Sequence, residues 1–103
     1  MILVTVMYPA GSQTTFDTDY YLQTHMPLVK ERWSPHGLKS AQVIRGTAKP
    51  DGGPPDYQMI ALLTFGSLED FRNAGKAHGQ EVFADIAKFT NVQAAVQINE
   101  ILD

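Results

Sequence analysis

Within FDTDYYLQTHMPL, residues 16–28, the chain places Tyr20, Tyr21 and His25 close together. An imidazole titrates near neutral pH and serves as general acid or base, and a nearby phenol donates to it or orients it. Proton transfer is therefore the chemistry these side chains support. The stretch opens like an amphipathic helix, yet it sets polar groups beside the apolar stripe. It then runs into Met26-Pro27, a step that disturbs helical geometry.

Other chemistries lack their residues. The chain has no cysteine, which removes disulfides, thiolate nucleophiles and Cys-ligated metal sites. No HxH or HExxH spacing occurs, so no metal is expected. GxSxG, GxGxxG and Walker loops are also missing, and with them the usual nucleophile and cofactor signatures. Eight basic residues lie scattered among eleven acidic ones for a net charge of −3, so a nucleic-acid partner is not expected. MILVTVMY lacks a basic flank and a cleavage site, and nothing approaches a membrane span. The expectation is a cytoplasmic protein with no membrane partner.

On a helix of 3.6 residues per turn, Leu22, Met26, Val29 and Trp33 form one core stripe. Tyr21 and His25, four residues apart, fall on its shoulder, roughly 60–100° round. There they would line a gap between helix and sheet. Pro27 sharpens this reading, because the helix must kink or restart and free backbone carbonyls near Gln23 and Thr24. His78, on the inward face of a later helix, is expected to point into the same space, while His36 sits in a solvated SPHG turn. A plainer reading stays open: His25 as a core-edge ring bonded to a freed carbonyl, His78 as a helix C-terminal cation, and the tyrosines as packed aromatics.

The elements that must position these groups read as β-α-β-β-α-β in one domain, residues 1–103. ILVTVMY is a strand, Asp17 caps a helix over 18–33, and Leu38 to about Arg45 is the second strand. TAKPDGGPPD connects it as a long hairpin to YQMIALLTF, the third strand. Ser67 caps the next helix, with Asp70 as a weak capping-box partner, and Gly79 is expected to break it. QEVFADIAKF then forms a further helix with Val82, Phe83, Ile86 and Phe89 inward, and NVQAAVQINEIL closes as a strand. The order predicts an α+β, ferredoxin-like fold: an antiparallel four-stranded sheet with helices on one face. Yet strands one and three are apolar on both faces. A second copy of the sheet is the economical cover, so a homodimer is expected.

The first strand ending in Tyr8-Pro9, then Phe16-Asp17-Thr18-Asp19-Tyr20-Tyr21 and His25-Met26-Pro27-Leu28, resembles the EthD family of dimeric α/β-barrel proteins. The resemblance runs over nearly the whole chain. It implies two ferredoxin-like protomers paired into a barrel, with a pocket between helices and sheet that holds the motif histidine. Relatives on that fold act as cofactor-free oxygenases, lactone isomerases, and cyclases or decarboxylases of aromatic compounds. The expectation is a cofactor-independent enzyme acting on a hydrophobic, aromatic or lactone-like molecule. His25 would be its general acid or base and Tyr21 its orienting group. Tyr8, Met26, Trp33 and Phe65 would supply apolar walls, with His78 as a further polar contact. The alternative is a non-catalytic or stress-associated dimer that only binds such ligands.

Overall fold

The computed structural model describes residues 1–103. Strands β1 (Ile2–Pro9), β2 (Leu38–Arg45), β3 (Tyr57–Phe65) and β4 (Ala95–Glu100) form one antiparallel sheet in the order β2-β3-β1-β4. Helix α1 (Thr18–Tyr20) passes through a π-helical turn, Tyr21–His25, into α2 (Met26–Trp33); α3 spans Leu68–Ala84. Short 3-10 turns, Ser34–His36 and Asp85–Lys88, follow α2 and α3. This is the expected ferredoxin-like α+β arrangement. No helix is long and apolar enough to cross a membrane.

The helices cover one sheet face. Alternation puts Val4, Val6 and Tyr8 of β1 and Met59, Ala61, Leu63 and Phe65 of β3 inward, against Met26, Val29 and Trp33 of α2 and Ala74 and Val82 of α3. Each fully buried large apolar side chain contributes about 1.5–3 kcal/mol relative to exposure. Trp33 fixes the helix pair as well, because its Nε1 donates to the Ala74 carbonyl at 2.9 Å.

Three features of the chain differ from the sequence reading. Gly79 does not break the second helical stretch; α3 runs on through Gly75 and Gly79 to Ala84. A glycine weakens a helix by about 1 kcal/mol against alanine, less than the burial of Ala74 and Val82 on either side returns. The following segment is a 3-10 turn instead of a separate helix. The last strand is also shorter, since Asn91 is tied to Gln13 and Thr15 in the loop before the first helix.

The second sheet face is uncovered within one chain. Leu3, Thr5, Met7, Ile60, Leu62 and Thr64 are half-buried there, and Ile44 is exposed. The cross-strand register sets Gln42 and Gln97 beside Leu62 and Thr5, so an apolar centre has polar flanks.

Candidate functional site

The π-helical turn decides which side chains face the core. Asp17 starts the helix by accepting from the Tyr20 N–H at 3.1 Å. Pro27 would clash in an ordinary α-helix with the carbonyl four residues back. The chain instead widens just before it, and the Met26 N–H bonds to the Tyr21 carbonyl across an extra residue. One inserted residue rotates the helix before it by about 100° relative to the helix after it. Tyr21, in place of Leu22, therefore stands in line with Met26, and His25 turns inward with it. Leu22, expected in the core stripe, is 48% exposed, while Tyr21 is fully buried and His25 is 3% exposed. Neither lies on a shoulder.

A clasp then brings a second segment to His25. The Asp17 N–H donates to the Phe89 carbonyl at 2.7 Å. Thr90 Oγ1 donates to the Thr15 carbonyl at 2.6 Å, and Asn91 accepts from the Thr15 N–H and donates to the Gln13 carbonyl. These bonds pin the start of the helix to the end of the 3-10 turn Asp85–Lys88. Asp85 is thereby placed against His25, with Nδ1 and Oδ2 2.9 Å apart. The other oxygen, Oδ1, accepts from the Tyr20 hydroxyl at 2.8 Å and lies 3.6 Å from Lys88 Nζ.

Asp85 was not anticipated as a partner, and the freed-carbonyl reading of His25 is replaced by this carboxylate. The signal was present. Val82, Asp85 and Phe89 repeat at helical spacing, so Asp85 is a carboxylate within an apolar stripe.

Burial among aromatic rings lowers the His25 pKa below the ordinary 6.5; the hydrogen bond and charge of Asp85 oppose this without reversing it. At Asp85, burial pushes the carboxyl up. The hydrogen bonds from His25 and Tyr20, with the charges of His25 and Lys88, still carry it below 3.8. Near neutral pH the pair is thus a carboxylate and a neutral imidazole. A carboxylate only accepts, so the ring donates from Nδ1–H and keeps its basic lone pair on Nε2.

His25 lines a small cavity between helices and sheet, about 20 Å³, whose other walls include Tyr8, Tyr21, Met26, Trp33 and Leu63. Tyr21 stacks parallel to His25, ring centres 5.7 Å apart, and Phe89 packs on the imidazole at 4.7 Å. The Tyr21 hydroxyl is buried and has no hydrogen-bond partner. Burial raises its pKa strongly, and that of Tyr8 further still, so both remain neutral donors.

Of the residues singled out in the sequence, His25, Tyr21, Tyr8, Met26 and Trp33 come together around this cavity. Phe65 does not line it; it is fully buried against Trp33 and Phe71. His78 is also elsewhere. Its ring meets His36 edge-on at 5.6 Å and lies 3.9 Å from Glu81, half-exposed between α3 and the Ser34–His36 turn. It keeps the helical angle of Phe71 two turns on, and meets the Ser34–His36 turn there in place of the cavity. No group of three or more His, Cys, Asp or Glu side chains is arranged to hold a metal ion.

Residues 10–93 match the family model described as the EthD domain. An EthD-like protein from Ralstonia eutropha JMP134 is 35% identical over 99% of this chain and 92% of that one, with a TM-score of 0.91. An ethyl tert-butyl ether D family protein from Bacillus halodurans C-125 is 19% identical over 99% of both chains, with a TM-score of 0.69. SnoaB, a cofactor-independent oxygenase from Streptomyces nogalater, is 10% identical over 99% of this chain and 92% of that one, with a TM-score of 0.64. The last two share the fold. No curated protein matches the chain.

Proposed function

The chain belongs to the EthD family, and on that premise we propose that it is a cofactor-independent enzyme that moves a proton on a hydrophobic small molecule bearing an acidic C–H next to a carbonyl or an acidic phenolic O–H. His25 Nε2 takes the proton. A C–H pair becomes a C=C bond as the carbonyl π pair moves onto its oxygen, whereas a phenolic O–H pair stays on its own oxygen; in either case Asp85 stabilises the imidazolium that forms at Nδ1–H. The Tyr21 hydroxyl, kept protonated, donates to the new oxyanion. Return of the proton to a different atom completes an isomerisation.

One observation carries this reading: a fully buried tyrosine hydroxyl without a partner, beside a histidine whose other nitrogen is fixed by a carboxylate. Leaving such a hydroxyl unpaired costs about 1–3 kcal/mol. A ligand oxygen placed between Tyr21 and His25 would satisfy it. The parallel drawn from SnoaB, an oxygenase without a cofactor, supports chemistry done by side chains alone.

Hydrogen–deuterium exchange into aromatic ketones, phenols and lactones tests the proposal. Any compound that raises the unfolding temperature should exchange faster with the protein than without it. His25→Gln should keep the thermal shift and lose the acceleration. Thermal shifts without exchange in the unmodified protein would leave a binding protein instead.

We further propose that two copies pair through the uncovered sheet face, burying Leu3, Met7, Ile60 and Leu62. A Leu62→Lys chain that sediments at half the native mass supports this; an unchanged mass opposes it.

A further inference from the structure

A cavity of about 20 Å³ holds roughly one water, so a ligand can reach His25 only if a wall moves. The wall is thin in one place. Phe83 and Ile86 line both this cavity and an open surface groove of about 900 Å³, bounded by the turn Asp85–Lys88, residues 89–94 and Val96 of β4. Phe83 is 38% exposed, and its inner side packs on Trp33 at 6.1 Å between ring centres. Moving it sacrifices less burial than moving any fully buried wall residue.

The helix that carries it has a matching weakness. Gly75 and Gly79 stand inside α3, and a methyl group added at either would meet nothing within 4 Å. Gly37 differs, since a Cβ there would lie 2.5 Å from Asp70 Oδ2. Close packing therefore does not demand glycine at 75 or 79. Glycine at these positions loosens the helix, because it gains more freedom on unwinding than any other residue. Asp85, just beyond, is held independently by His25, Tyr20 and the clasp at residues 89–91.

We infer that Phe83, carried on the glycine-weakened end of α3, is the gate between the surface groove and the His25 cavity and selects which molecules pass. The inference rests on reading that cavity as a ligand site. The groove wall of Phe89, Val92, Ala94 and Val96 suits a flat apolar molecule, and Lys88 and Gln93 add polar side chains to its lining. Opening joins the two spaces while the sheet and the Asp85–His25 pair stay in place, as with other gates that control access without taking part in the chemistry.

Trp33 reports on the gate directly, being the one tryptophan in the chain, 1% exposed, and a wall of the cavity. The experiment is acrylamide quenching of its fluorescence lifetime. Phe83→Ala should raise the quenching rate several-fold. Val82→Ala, which enlarges the cavity from a position that does not border the groove, should leave the rate near that of the unmodified protein. The Gly75→Ala/Gly79→Ala double variant keeps Phe83, stiffens the helix and should quench more slowly than the unmodified protein. No rise in Phe83→Ala, an equal rise in Val82→Ala, or no slowing in the glycine variant would overturn the inference. Acrylamide needs no chemistry from His25. Failure of the proton-transfer proposal would show in the exchange assay and not here.

Discussion

His25 Nδ1 and Asp85 Oδ2 lie 2.9 Å apart, although sixty residues of chain separate them. Asp85→Asn keeps the shape of the side chain and removes its charge. The carboxylate is the contact that holds the His25 pKa up against burial. In Asp85→Asn the imidazole should therefore titrate at lower pH than in the unmodified protein, as followed by the NMR shift of its ring protons. An unchanged titration would mean the two groups are not electrostatically linked.

Tyr20→Phe should act in the opposite direction. Without the tyrosine hydroxyl at 2.8 Å, the Asp85 carboxylate loses a donor and becomes a stronger acceptor for the imidazolium. The His25 titration should move to higher pH. A merely structural tyrosine would lower stability and leave that titration where it was.

Both members of the pair have pKa values below their ordinary ones, so both make folding stability fall on acidification. As pH drops through 6.5, the unfolded chain takes up a proton at His25 that the folded chain refuses. The contribution of Asp85 is complete above 3.8 and is lost as pH falls through its lower folded value. Urea unfolding at neutral and mildly acid pH should show the first loss, and His25→Gln should abolish that part. Stability rising on mild acidification would contradict a neutral His25.

Glycines in this chain should divide by their surroundings. Gly79→Ala should stabilise the protein by about 0.5–1 kcal/mol, since α3 accepts a methyl group in open space. Gly37 has φ 98° in the left-handed turn that ends the 3-10 segment Ser34–His36, and its Cβ would strike Asp70. Gly37→Ala should cost about 1 kcal/mol or more. Chemical denaturation of the two variants decides both.

The strands were legible because the near-continuous runs of β-branched, aromatic and other apolar residues in ILVTVMY and YQMIALLTF mark a strand whatever their neighbours. The start of the first helix was legible because Asp17 is a local signal that needs no partner. The readings that failed depended on register or on distant contacts. Pro27 marked a disturbance, but ideal helical spacing could not say that one extra residue would enter before it and exchange Leu22 for Tyr21. Gly79 looked like a stop on propensity alone, and packing on both sides carried the helix through. Asp85 was readable only as a carboxylate out of place in an apolar stripe. Its meaning came from the clasp between residues 13–17 and 89–91, which joins segments far apart in sequence.

The most direct measurement is the protonation state of the two His25 ring nitrogens at neutral pH, read from nitrogen-15 NMR of the imidazole. A base oriented by Asp85 must carry its proton on Nδ1 and a lone pair on Nε2. That pattern is the predicted result. A proton on Nε2 with Nδ1 bare, or a fully protonated ring, would contradict the assignment of His25 as the base.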